Sequence, residues 1–197
     1  MIEDIDTLIE NVRKYTESAV SQSRYEHSVR TAETSARYCR KYGLDEKLGY
    51  LAGIGHDMCK AMDSELLMSI SARDGKPFSD IERMKPGLLH GRAAAVKMQE
   101  DFNITEPDVI EAVANHTFGF AGMCNLSKVL YVADKIEPGR DHVTEAYLKS
   151  LENLTLDQLV LSVLRDNVNH LKKKNKAVAP ETELLLKWLE ERVNEKI

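Results

Sequence analysis

His56 and Asp57 stand side by side, and His27, His90, His116 and Asp134 are spread around them, all before residue 135. Imidazole nitrogens and carboxylate oxygens are the donors that hold divalent transition metals in hydrolytic enzymes. His56 and Asp57 follow the small residues Gly53 and Gly55 at what reads as a helix end, where neighbours can address two sides of one ion. Asp57 could also bridge two ions. A metal so held lowers the pKa of water towards about 7 and polarises the phosphoryl oxygens that water attacks. These residue types therefore point to a metal-dependent hydrolase.

Cations accompany these candidates. Lys60 lies four residues after His56 and three after Asp57, so on a continuing helix it would share their face. Arg24 precedes His27 by three, and Arg140 follows Pro138-Gly139, which would stop the helix of Asp134 and turn the guanidinium back. A cation beside a metal is repelled unless an anion is bound, so three of them suggest a polyphosphate ligand. Lys60 and Arg140 would then stabilise charge on the transferring and leaving phosphates, with Asp57, at the ion, as the third catalytic residue. No Ser-His-Asp or G-x-S-x-G pattern competes as a nucleophile.

The elements that must position these groups read as helices. Ile2, Ile5, Leu8, Ile9 and Val12 recur at helical spacing, as do Tyr25, Val29, Ala32, Ala36 and Cys39, and no run alternates with period two. The class is all-α. Gly43, Asp74-Gly75-Lys76-Pro77, Pro86-Gly87, Pro107, Gly119 with Gly122, and Pro138-Gly139 punctuate it. Thr105-x-x-Asp108 resembles a capping box opening a helix over roughly 106 to 116. A second helix spans Asn125 to Ile136 with Leu126, Val129, Leu130 and Ala133 on one stripe and Asp134 beside it. Lys172, Lys173, Lys174 and Lys176 read as a solvated helix end.

The chain of 197 residues, 43% hydrophobic and 30% charged, suits one globular domain, 1–197. A net charge of −5 disfavours nucleic acid or an anionic membrane as a partner. Cys39, Cys59 and Cys124 lack C-x-x-C spacing and read as reduced thiols. The start MIEDIDTLIE lacks the features of a secretion signal, and no stretch approaches the roughly 18 apolar residues of a membrane span. A cytoplasmic protein is expected, with a homodimer as the default assembly.

The order His27, His56-Asp57, His90, His116, Asp134 resembles the HD superfamily of metal-dependent phosphohydrolases. The segments around it narrow the resemblance. Arg24-Tyr-Glu-His27-Ser, Gly55-His56-Asp57-Met-Cys-Lys60, Leu89-His90-Gly91, Asn115-His116-Thr117-Phe-Gly119 and Tyr131-Val-Ala-Asp134-Lys-Ile-Glu-Pro138-Gly139-Arg140 are together similar to the YqeK branch, the symmetrical diadenosine tetraphosphate hydrolases of bacteria. The resemblance implies a helical HD-domain bundle, with iron held by His27, His56, Asp57 and Asp134. By the same resemblance His90 and His116 face the substrate phosphates or complete a second metal site. Arg24, Lys60, Thr117, Gly119 and Arg140 match nucleotide-contacting positions. Val178, Pro180 and Thr182, before a final helix, match a segment (about 175–197) that closes over the nucleotide. The implied reaction is attack at a β-phosphorus of diadenosine tetraphosphate, releasing two ADP.

Two positions depart from the branch. Phe118 stands where a threonine is usual, and Ala179 where a histidine is common, and both bear on substrate preference more than on metal chemistry. The donor types also accept manganese, cobalt or zinc, as one ion or two. Two other readings remain open: a nucleoside monophosphate phosphatase of the same superfamily, and a nucleotide sensor with little turnover.

Overall fold

Capping residues open most of the helices that the apolar spacing predicts. Asp4, Ser21, Asp45 and Asp63 each accept hydrogen bonds from backbone N–H groups of the following first turn. The computed structural model describes residues 4–194, and among them the regular structure is all helical, as expected. In chain order the helices are α1 (Ile5–Ala19), α2 (Gln22–Lys41), α3 (Glu46–Gly55), α4 (Ser64–Ser71), α5 (Asp80–Met84), α6 (His90–Phe102), α7 (Pro107–Asn115), α8 (Asn125–Ile136), α9 (Glu145–Ser150), α10 (Leu156–Lys173) and α11 (Pro180–Asn194). Short 3₁₀ turns cover Ala72–Asp74 and Pro86–Leu89. Ile2 and residues 195–197 of the expected closing segment lie outside the described residues.

Helix α8 is the central one. Leu126, Val129, Leu130, Tyr131, Val132, Ala133 and Ile136 are all buried, which makes it apolar nearly all round, and it packs against α2, α3, α7 and α10. Its bounds are those the sequence stripe indicates.

The close pairing of α2 with α3 decides where His27 and His56 meet. Gly53 has no Cβ, and one built there would collide with the backbone of Ala32, 2.8 Å from its nitrogen. Gly49 faces the side chain of Cys39 in the same way, so two glycines let the helices touch backbone to backbone.

Two local expectations are corrected. The Thr105-x-x-Asp108 capping box does not form: Glu106 takes the N-cap position without a side-chain bond, and Pro107 fills the first turn. Proline fits that position because its missing N–H would have no helical partner there. Capping boxes form instead at Ser79 with Glu82 and at Thr155 with Gln158. Nor does a helix continue through Lys60: α3 ends at Gly55, and turns held by Met58 N–H to Gly55 O and Lys60 N–H to Asp57 O follow.

At the C-terminal side, α10 ends in exposed lysines, and α11 packs back onto it. Asp157, on α10, accepts from buried Lys128 of α8 at 2.8 Å and from Arg192 of α11 at 3.2 Å. Trp188 lies beneath both cations. No helix among the described residues is long and apolar enough to cross a membrane. The three cysteines are free.

Candidate metal centre

His56 is the C-cap of α3 and His116 that of α7, while His90 opens α6 directly after a 3₁₀ turn. Carbonyls in the last turn of a helix, as in α3, α7 and the 3₁₀ turn before α6, lack helical partners. Each imidazole takes one: Nδ1 of His56 bonds Gly53 O at 2.6 Å, that of His90 bonds Gly87 O at 2.8 Å, and that of His116 bonds Val113 O at 2.8 Å. A carbonyl only accepts, so each Nδ1 carries the proton and each Nε2 presents a lone pair. His27 lies inside α2, and its Nδ1 is 3.1 Å from Oε1 of Glu137.

The four Nε2 atoms converge. That of His27 lies 3.3 Å from that of His56, and that of His90 lies 3.0 Å from that of His116. Asp57 spans the two pairs: its Oδ2 lies 3.8 Å and 3.7 Å from Nε2 of His27 and His56. Its Oδ1 lies 3.0 Å and 3.7 Å from Nε2 of His90 and His116. Asp134 joins the first pair, its Oδ1 3.2 Å from His27 Nε2 and 3.7 Å from His56 Nε2. The result is two groups of two imidazoles and a carboxylate, sharing Asp57. Imidazole lone pairs at such separations repel unless a cation lies among them, so the donor set fits a divalent metal.

Burial raises the carboxyl pKa of Asp57, but nearby His56, His116, His90 and Lys60 outweigh it and hold the group well below its ordinary range. Asp134 is likewise held low against its burial, by Lys135 and the imidazoles of His27 and His56. Burial, helped by the like charges of His56 and His90, pushes His116 down to about 4, against the pull of Asp57. His56 differs: burial lowers it, but Asp57 and Asp134 reverse the sign and raise it.

Three cations rim the cluster. Arg24 Nη1 bonds Asp57 Oδ2 at 2.9 Å, Lys60 Nζ lies 3.0 Å from His90 Nε2, and Arg140 Nη2 bonds Asp134 Oδ1 at 2.7 Å. Their side chains are 37%, 35% and 34% exposed, against 3% for Asp57, so the cations face solvent above buried ligands. Arg140 also donates to the Asp134 carbonyl.

Three partners escaped the sequence reading. Glu137 is buried between His27, Arg30 and the Gly139 N–H. Burial raises its pKa, but hydrogen bonds from Arg30 and His27 bring it below the ordinary value. Lys135 Nζ reaches Asp134 Oδ2 and the His116 carbonyl, at 3.3 Å and 3.2 Å, over the Tyr131 ring. Glu137 and Lys135 sit in the Asp134-to-Arg140 segment that signals the site, whereas nothing in the spacing of Arg30 pointed to it.

The other expected nucleotide contacts lie to one side. Thr117 and Gly119 line a cavity of about 190 Å³ with Asn115, Phe118, Phe120 and Glu181, and none of the six metal-ligand candidates lines it. Gly119 adopts φ +64° and leaves room for Leu185 of α11. Thr182 donates its hydroxyl to the Phe118 carbonyl at 2.9 Å, Ala179 is buried, and Val178 packs on the core.

Comparison with known proteins agrees with this architecture. The model of the HD domain matches residues 24–139. The symmetrical bis(5'-nucleosyl)-tetraphosphatase of Bacillus subtilis (strain 168) is 32% identical over 86% of this chain and 91% of its own length. A protein of the same name from Staphylococcus aureus (strain NCTC 8325 / PS 47) is 33% identical over 67% of this chain and 68% of its own. Among solved structures, a predicted HD superfamily hydrolase involved in NAD metabolism from Clostridium acetobutylicum superposes with a TM-score of 0.85 at 26% identity, over 93% of this chain and 97% of that one. With the HD model spanning the metal-ligand candidates from His27 to Asp134, the chain belongs to the HD domain family, in the company of the symmetrical bis(5'-nucleosyl)-tetraphosphatases.

Proposed function

We propose that this protein hydrolyses diadenosine tetraphosphate and related dinucleoside polyphosphates symmetrically, giving two ADP from the adenosine compound. The observation that carries the reading is the convergence of four Nε2 atoms and two carboxylates beneath three solvent-facing cations. A buried ligand set roofed by positive charge suits a polyanion arriving from solvent.

His27, His56, Asp57 and Asp134 are the residues that hold a metal. Two imidazoles and two carboxylates accept iron, manganese, cobalt or zinc, and the choice of iron rests on the resemblance to the tetraphosphatase branch. Each group has a cation near one imidazole lone pair, Lys60 Nζ 3.0 Å from His90 Nε2 and Arg140 Nη2 3.5 Å from His27 Nε2. His90 and His116 take a second ion or contact phosphate.

When bound, the ion supplies Lewis acidity at the phosphoryl oxygens and a lowered pKa for the attacking water. Arg24 and Arg140, each tied to a carboxylate ligand, hold the phosphate chain by charge while keeping those ligands oriented. Lys60, at the junction of the two groups, meets the charge that develops as the bridging P–O bond breaks. The 190 Å³ cavity is smaller than the roughly 300 Å³ of ordinary ligand pockets, so it takes only part of a nucleoside. Thr117 lines this cavity, and its hydroxyl is buried without a protein partner. The loop before α11 and the start of that helix, Val178, Pro180 and Thr182 included, close this side of a single domain.

Chromatography of products from diadenosine tetraphosphate tests the reading, with elemental analysis of the purified protein. Two ADP and no ATP or AMP are expected, with activity lost on chelation and restored by iron or manganese. Release of inorganic phosphate from AMP with the tetraphosphate untouched would overturn it in favour of a monophosphatase. Nucleotide binding without product would leave a sensor.

A further inference from the structure

Three of the four imidazoles at the centre are oriented by carbonyls three residues before them, at helix ends where such carbonyls are spare. His27 has no such option. It sits within α2, where carbonyls already accept helical bonds, so whatever holds its Nδ1 must come from elsewhere. The partner is Glu137, 110 positions along the chain and just past the end of α8.

Glu137 is itself clamped. Its Oε2 accepts from Arg30 Nε at 2.5 Å and from the Gly139 backbone N–H at 2.6 Å, and its side chain is 2% exposed. Arg30 is one helical turn beyond His27 on α2, so acid and base tie one face of α2 to the end of α8. Gly139 makes the clamp feasible: its φ is not positive, but a Cβ there would run into the Arg30 guanidinium.

We infer that Glu137, braced by Arg30 across Gly139, is the positioning residue that fixes His27 with its Nε2 lone pair toward the metal centre. This rests on the reading of His27 as a metal ligand. Carboxylate partners of ligating imidazoles commonly matter 10- to 100-fold in metal affinity. In Glu137→Gln the two donors, Arg30 and the Gly139 N–H, claim the amide oxygen. The amide NH₂ is then left facing Nδ1, which reverses the His27 tautomer.

The test uses two readouts on the full chain. Nitrogen-15 imidazole spectra of the metal-free protein should show His27 Nδ1 protonated in the wild type and unprotonated in Glu137→Gln, whatever Nε2 shares with Asp134, with His56, His90 and His116 unchanged. Titration with cobalt(II), followed by its visible absorption, should show affinity reduced about 10- to 100-fold. A folded variant in which either the tautomer or the affinity stays as in the wild type overturns the inference. Should Glu137→Gln not fold, Arg30→Ala carries the test: a mixed His27 tautomer and weaker cobalt binding support it, and wild-type behaviour overturns it. A wild type that takes up no cobalt sinks the metal reading instead, and the metal-free spectra alone then decide what Glu137 does.

Discussion

The two halves of the centre are chemically alike, and they differ in how one imidazole, that of His27, is oriented. In the second half both rings are oriented by a carbonyl three residues before them, His90 by Gly87 of the 3₁₀ turn ahead of α6 and His116 by Val113 of α7. In the first half, Nε2 of His27 meets that of His56 only because α2 and α3 pack backbone to backbone, and its orientation depends on Glu137 and Arg30. The same ligand type can thus be placed by a few residues of chain or by the tertiary fold.

Asp57 is the one side chain common to both halves, and its removal should cost most. Asp57→Ala is expected to lower turnover by more than ~10³-fold, beyond the loss of a single charge-stabilising donor. Bound metal should fall with it in elemental analysis. Full turnover in that variant would mean that the halves do not work through a shared oxygen. Lys60→Ala should retain metal and slow hydrolysis by about 10²–10³-fold, read as kcat at saturating substrate. Because Lys60 caps a lone pair of the second half, cobalt stoichiometry should stay equal or rise; metal loss would place Lys60 among the supports of the ligands instead.

The contrast between the halves also explains what could be read from the chain. Residue type exposed the ligands: His56-Asp57 and the scattered imidazoles announce metal chemistry wherever they fold, and the stripe on α8 carried Asp134 to within its helix bounds. Glu137 and Arg30 were opaque because their contacts span 110 and 107 positions, and neither residue is unusual by type or spacing. Lys60 reaches the site from a turn, since glycines end α3 before it and no helical period applies. At Thr105 the cap pattern lost to Pro107, which restricts the residue before it and prefers the first helical turn.

Glycine substitutions separate the halves more finely. In Gly53→Ala the added Cβ meets the Ala32 backbone, which cannot yield, so α2 and α3 must part and His27 leaves His56. Overpacking of this kind costs about 1–3 kcal/mol, or roughly 2–12 °C in Tm for a domain of this size. Gly91→Ala is the counterpart: its Cβ would stand 2.9 Å from Cε1 of His116. Cobalt titration should find the first half weakened in one variant and the second half in the other. Equal loss from both halves in each variant would dissolve the distinction.

The smallest effect on the centre should come from a long-range contact of similar construction that touches no ligand. Asp157 joins Lys128 of α8 to Arg192 of α11, and burial of its carboxyl is outweighed by these cations, which lower its pKa. A carboxyl lowered by folding adds stability above its unfolded value of about 3.9, and that stability disappears as pH falls through the lower folded value. Asp157→Asn should therefore melt several degrees below the wild type at pH 6, with the gap closing as the pH drops below about 4. Metal content and kcat at neutral pH should not change. If metal affinity fell in step with Tm, tertiary packing in general, and not the specific brace on His27, would set the strength of the first half.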